Sequence, residues 1–311
     1  MSDAHRTTSV RVVALLLWVG VVAAALGGAT TYGLLTDSEQ ADGTVRAMDS
    51  FEDTGDGACV DENGDGDCDP GEDRIATSDL PTYTNASADL VVPENVGTVD
   101  AGNGEVDITA GSITSEVDIR SKNQDVSLTA TDGGIDLGGE GVTIDQGSGD
   151  VDLSATGDID LSTSTITTNT GEVSVESGGT LTLDDATVSV SGGNGGIDFD
   201  AQEISARNAD FDTNTGPIAL SATRNGGGQL DATGANMAVG GGNGDVTLES
   251  VGDVFLDDAS LSTSNGAATA ALGGSGYTLH VDGLSVVDRD DTLTYSPAGV
   301  TEDPERSDVE S

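Results

Sequence analysis

The chain has 311 residues, with 56 Asp and Glu against 10 Lys and Arg, a net charge of −46 and a pI near 4.1. That balance leaves no basic patch and excludes nucleic acid as a partner. Aromatic residues make up only 3%, so stacking platforms for sugar rings are sparse.

Residues 1–35 read as a targeting element. Arg6 and Arg11 precede the apolar run Val12 to Leu26, and the small residues Gly27, Gly28 and Ala29 follow it, the order found in export signals. Extended to Leu35, the stretch is long enough for a hydrophobic helix to cross a bilayer of about 30 Å. A cleaved signal peptide and a retained N-terminal membrane anchor are both open, and this is the only membrane contact expected. The segment Gly27-Gly28-Ala29-Thr30-Thr31-Tyr32, with Leu34-Leu35-Thr36-Asp37-Ser38-Glu39 after it, resembles the leader of camelysin-like and biofilm-fibre proteins. The resemblance implies export through a dedicated signal peptidase. It stops with the leader and does not extend to that family's sandwich fold.

Residues 36–80 form an acidic linker that carries one recognisable motif. Asp61-Glu62-Asn63-Gly64-Asp65-Gly66-Asp67-Cys68-Asp69-Pro70-Gly71-Glu72 matches the calcium-loop pattern D-x-[DN]-x-[DN]-G-x₅-E. Calcium takes several hard oxygens around a sharply bent chain. Asp61, Asn63 and Asp65 would offer side chains, Gly66 the bend, Asp67 its carbonyl, Asp69 a contact through water and Glu72 a bidentate carboxylate. Gly55 and Gly57 interrupt the helix expected before a sensor EF-hand, so the loop resembles those of thrombospondin type 3 and dockerin modules. An acidic linker that matches by chance is the bland reading. Cys59 and Cys68 flank and enter the loop. In an exported chain they are expected to form a disulfide, with a free thiol pair as the alternative.

Residues 81–98 are assigned to a linker and the N-cap of a solenoid. They hold the sequon Asn85-Ala86-Ser87, which makes Asn85 a candidate glycosylation site, a chance sequon being the other reading.

From residue 99 to 287 the chain repeats. Val151, Leu153, Ile159, Leu161 and Ile166 return 22 residues later as Val173, Val175, Leu181, Leu183 and Val188. The same internal spacing recurs at Val246, Leu248, Val254, Leu256 and Leu261. Apolar residues two apart, separated by Gly, Asn, Asp and Ser, predict three short strands per repeat, each burying one face. Such strands bury that face only by stacking. The fold class expected is therefore all-β, a single-chain right-handed parallel β-helix. Its coils start at Val106, Val126, Val151, Val173, Ile197, Ile218, Val246 and Ala268, about eight in all. A disordered Gly/Ser/Asp chain would explain the composition but not this register. The glycines are read as corner residues, since Gly takes φ > 0 without steric cost. Gly226, Gly227 and Gly228 mark an insertion. Phe199, Phe211 and Phe255 are expected in the core, and Tyr277, Leu279, Val281, Leu284 and Tyr295 at the open end of the column. Residues 288–311 form an acidic tail, expected to be partly disordered and to fray beyond Tyr295. In its repeat style the solenoid resembles the filamentous-haemagglutinin type of adhesin helix.

The outward positions Asp107, Asp136, Asp152, Asp160 and Asp198 are expected to stack in register, like charge on like charge. At about 1 M salt the Debye length is only ~3 Å, and the composition reads as that of an extreme halophile, a surface protein of a halophilic archaeon. Carboxylate ladders acting as specific cation sites are the rival account. Catalysis is not expected and no catalytic residue is assigned. The basic residues of the repeats, Arg120, Lys122, Arg207, Arg224 and Arg289, do not cluster in sequence, and the paired corners Asp184-Asp185 and Asp257-Asp258 read as architecture. The function expected is a structural or adhesive one, secreted or on the cell surface, with calcium in one loop. The partners expected are surface or matrix components, glycan, or another copy of the chain. A polysaccharide lyase or hydrolase is the alternative.

Overall fold

Segments such as Val106–Ala110 (V-D-I-T-A) and Val151–Ala155 (V-D-L-S-A) bury every second residue, the pattern of a strand with one face in a core and one in water. The computed structural model describes residues 57–139, 141–304 and 307–310. The leader and hydrophobic helix assigned to residues 1–35 lie outside the described residues, as do residues 36–56 of the linker. Among the described residues no helix is long and apolar enough to cross a membrane.

The strands stack into a parallel β-helix with three faces. Within one coil, face 1 is a strand such as Val106–Ala110, face 2 one such as Ile113–Ser115, and face 3 one such as Ile119–Ser121. The sheets on these faces hold 11, 12 and 9 strands respectively. The 22-residue offset is the hydrogen-bonded register: Val151 pairs with Val173, Leu153 with Val175, Ile159 with Leu181 and Ile166 with Val188. Leu161 and Leu183 are fully buried at the corner after face 2. The insertion at Gly226–Gly228 is accommodated between faces 1 and 2, next to a 3₁₀ turn at Arg224–Gly226.

Each of the eight coil starts read from the repeat begins a face-1 strand, but the stack is longer, with about ten coils. One coil precedes the eight, made of β3 (Thr84–Asn85), β4 (Asp89–Val92) and β5 (Val99–Asp100). At the other end the acidic tail adds strands at Leu293–Ser296, Thr301–Asp303 and Val309–Glu310, each paired in parallel with the coil before it. The expected fraying beyond Tyr295 is thus corrected. Leu293, Tyr295, Val300 and Val309 are buried and continue the column; the few apolar residues and irregular spacing beyond Tyr295 hide Val300 and Val309 from a periodicity count. Leu279, Val281 and Leu284 lie inside the column, and Tyr277 is 39% exposed.

Phe199 and Phe211 are fully buried with ring centroids 5.9 Å apart, edge to face. Phe255 is not a core residue. Val254 and Leu256 take the inward positions on either side of it, so Phe255 points outward and stacks on His280 of the next coil, with centroids 4.2 Å apart.

The corner between faces 3 and 1 explains a share of the glycines that φ does not. Gly149, Gly171, Gly195, Gly216, Gly244 and Gly266 stack one above another, and a Cβ on each from Gly171 onward would run into the carbonyl oxygen of the glycine one coil earlier. None of these six has a left-handed φ; the requirement is close approach of stacked backbones. Left-handed residues form a different column, at the corner after face 2, with Thr163, Asp185, Asn208, Gly234, Asp258 and Gly283 at φ between 54° and 72°.

The outward columns do not stack like charges throughout. On face 1, Asp107, Asp152 and Asp198 alternate with Ser127 and Ser174. Carboxylates then recur every second coil, about 10 Å apart at a strand spacing near 4.8 Å. On face 3, Arg120 stands between Asp100 and Asp145. Direct neighbours occur at Asp136 and Asp160 on face 2 and at Glu176 and Asp200 on face 1. Many remaining carboxylates cap backbone: Asp125, Asp150, Asp158, Asp245 and Asp253 each accept an amide N–H from the following coil at 2.7–2.9 Å.

Candidate functional site

The acidic loop is part of the solenoid's N-terminal cap and not a free linker. β1 (Ala58–Asp61) and β2 (Arg74–Ile75) pair as an antiparallel hairpin, and β1 also pairs antiparallel with β4, the first strand of face 2. The hairpin so covers an edge that would otherwise offer unpaired backbone groups. Ala58 and Cys59 of the hairpin are fully buried, as is Leu80, and Ala58 and Leu80 belong to the hydrophobic core. The Cys59–Cys68 disulfide is formed, with Cα atoms 5.7 Å apart, and the Cys68 Sγ lies 3.8 Å from the Val91 carbonyl oxygen.

Within the loop the Asp61 carboxylate is the centre. Its Oδ1 accepts from the amides of Asn63 (3.1 Å) and Gly64 (2.6 Å), and its Oδ2 from Gly66 (2.8 Å). Burial works against its charged form, but the amides of Gly66, Gly64, Asn63 and Asp65 outweigh it and hold the carboxyl below its ordinary 3.8. Asn63 Oδ1 accepts from Asp65 N at 2.9 Å, Asp65 Oδ1 from Asp67 N at 3.1 Å, and Asp69 Oδ2 from Asn63 Nδ2 at 3.0 Å. Glu72 folds back on the loop start: its carboxylate accepts from Glu62 N at 3.2 Å and from Asp69 N at 2.8 Å. Gly64 and Gly66 have φ of 76° and 85°, bends that other residues take only with strain. Sequence reasoning missed Arg74, whose guanidinium donates to the carbonyls of Cys68 (3.0 Å) and Asp69 (3.2 Å) from inside the hairpin. The cross-strand pairing of Cys59 with Arg74 depends on a β1 strand that the motif itself does not announce.

The donor set suits calcium in kind: hard oxygens from Asp61, Asn63, Asp65 and Glu72 on one closed loop. A carboxylate has about four lone-pair sites, so Asp61, with three amide bonds, and Glu72, with two, each keep lone-pair capacity for an ion. Among the described residues no group of three His, Cys, Asp or Glu side chains is gathered as a metal cluster, so ligation would require the outer carboxylates to turn inward. Asn85 is exposed in β3.

A second polar constellation lies on face 1. Arg224, in the insertion, pairs with Glu176 and Asp200 at 3.2 Å each, and Asn225 Nδ2 donates to the Gly178 carbonyl at 2.7 Å. The insertion thereby folds back over two earlier coils. Asp198, Ser221, Thr247 and Glu249 line the groove beside it. Burial pushes the Asp200 carboxyl up; Arg224 opposes this, while Glu176, Asp198 and Glu249 add to it. Three other arginines of the repeats pair separately: Arg120 with Asp118 at 3.1 Å, Arg207 with Asp231 at 2.7 Å and Arg289 with Asp290 at 3.0 Å. Asp184 accepts from the Arg207 amide and Asp257 from the Asp282 amide, so both paired corners hold backbone.

Comparison with protein-family models, with curated proteins and with solved structures returned no match.

Proposed function

We propose that the chain is an exported, rigid β-helical spacer with a structural or adhesive role at a cell surface, working in salt-rich surroundings, with a calcium-binding hairpin over the face-2 edge of its first coil. The observation that carries this reading is the stack of in-register coils with that edge covered by β1 and β2, the form of a rod that displays repeated polar faces. The export signal read in residues 1–35 and the net charge of −46 support the location and the salt. Asp61, Asn63, Asp65, Asp67, Asp69 and Glu72 would hold the ion, whose positive charge would offset a run of carboxylates on one short loop. In that role Asp61 orders the loop through its amide bonds, and Glu72 ties the end of the loop to its start.

Protease treatment of intact expressing cells tests the location. Release of the solenoid supports the proposal, and a chain found only in the cytosol overturns it. The second reading, a polysaccharide lyase or hydrolase, is favoured by one observation, the adjacent Glu176 and Asp200 under Arg224, because paired carboxylates serve general acid–base work. Polysaccharide cleavage by the wild type that Glu176→Gln and Asp200→Asn both abolish would replace the spacer reading.

A further inference from the structure

We infer that Asn85 carries an N-linked glycan, and that the glycan shields the N-terminal edge of face 1 from pairing with a second copy of the chain. The inference rests on the export reading above, since glycan transfer of this kind acts on translocated chains.

Three observations place the modification. Asn85 is exposed, as are Ala86 and Ser87, so the whole sequon is open to a transferase. The sequon is also preshaped: Asn85 Oδ1 accepts from the Ser87 hydroxyl at 3.2 Å and from the Ser87 amide at 3.4 Å, an Asx-type turn. The turn is fixed to the solenoid on both sides. Thr131 Oγ1 donates to the Ala86 carbonyl from two coils on, Ala88 N donates to the Asn85 carbonyl at 3.1 Å, and Gly111 N donates to the Ala88 carbonyl at 2.7 Å. Transfer would join Nδ2 of Asn85 to the anomeric carbon of a lipid-linked oligosaccharide. The C–N bond forms as the C–O bond to the lipid phosphate breaks, Nδ2 gives up one proton, and the lipid phosphate leaves with the electron pair.

The position gives the glycan a task. Among the described residues β3 is the terminal strand of the 11-stranded sheet and pairs on one side only, through Thr84 with Thr109 and Asn85 with Ala110. Face 2 has its hairpin over the corresponding edge, whereas the face-1 edge is two exposed residues. Open edges are templates for pairing with another chain. Charge repulsion between copies would prevent that in dilute buffer, but in molar salt it acts over only about 3 Å. A bulky group on the edge strand acts by excluded volume and keeps working there.

The test uses the full chain expressed in a halophilic host that N-glycosylates its own surface proteins. Protease accessibility on intact cells establishes export independently. Mass spectrometry then reads the tryptic peptide 75–120, which contains Asn85 and no internal Lys or Arg. The expected result is an oligosaccharide mass on this peptide in the wild type and in Ser87→Thr, absent in Ser87→Ala. In molar salt, light scattering should show monomer for the glycosylated chain and multimers for Ser87→Ala, or for native protein whose glycan has been removed enzymatically. An exported but unmodified wild type overturns the glycan and leaves the export reading standing; a cytosolic chain overturns both. A modified wild type whose glycan-free forms stay monomeric overturns the shielding role.

Discussion

Cys59 stands in antiparallel register with Val91, a residue of the first face-2 strand, and the same cysteine is bridged to Cys68 inside the acidic loop. The disulfide thus ties the loop to β1, and strand pairing ties β1 to the edge it covers. Loop order and cap order are coupled in consequence, and an ion bound in the loop would stabilise the end of the rod. Calorimetry should show calcium binding in the range of about 10⁻⁴–10⁻³ M, typical of extracellular modules. Glu72→Gln should weaken it more than Glu62→Gln, because Glu72 closes the loop while Glu62 contributes only charge. Reducing the bridge should weaken it too, since the ion must then order an open loop. Equal losses in the two variants would mean a diffuse ion atmosphere.

The glycine column predicts a contrast between two Gly→Ala changes. At Gly195 a methyl group would meet the Gly171 carbonyl, while nothing lies within 4 Å of a Cβ built at Gly276. Gly195→Ala should cost about 1–3 kcal/mol, the range for overpacking, and Gly276→Ala should be near neutral. Chemical denaturation of both checks it; equal midpoints would show that the corners relax freely.

Leu183 is fully buried in the hydrophobic column, where a charge would lose its hydration. Leu183→Asp should abolish cooperative folding, seen as loss of the β circular-dichroism signal and of the melting transition in molar salt.

Acid should first stabilise the rod and then loosen it. Burial raises the carboxyls of Asp136, Asp152, Glu172 and Asp200, with neighbouring carboxylates adding to the effect. An acid whose folded pKa is raised binds its proton more readily in the native state, so stability increases as pH falls through that value. Asp61 and Asp231 are shifted the other way: burial opposes the shift, but backbone and side-chain hydrogen bonds outweigh it. Their contribution is present above the ordinary 3.8 and is lost as pH falls through the lowered values. Melting curves from pH 7 downward at constant salt should pass through a maximum in mild acid; a monotonic decline from neutrality would contradict the assignment.

Salt dependence should be graded. A net charge of −46 resists compaction in dilute buffer, yet alternation places most face-1 carboxylates about 10 Å apart, close to the Debye length at 0.1 M salt. The steepest rise in melting temperature is expected below that concentration. An identical melt in dilute and molar salt would show that repulsion plays no part.

The sequence by itself determined the strand pattern, the in-register offset and the eight central coil starts, because an inward apolar residue at every second position is a local requirement repeated coil after coil. It also carried the calcium-loop motif and the cysteine pair, each of which lies within a dozen residues. It did not show that the loop belongs to an antiparallel cap, because β1 meets β4 across nearly thirty intervening residues and no periodicity marks a strand used once. The coil starts at Val126, Val151 and Val173 already place Ser127, Asp152 and Ser174 in one outward column, so that alternation is legible in the sequence. The glycine corners are not: the stacking of backbones from coil to coil, rather than φ, decides where only glycine fits. Those facts arise from contacts between coils, and only the tertiary structure brings the coils together.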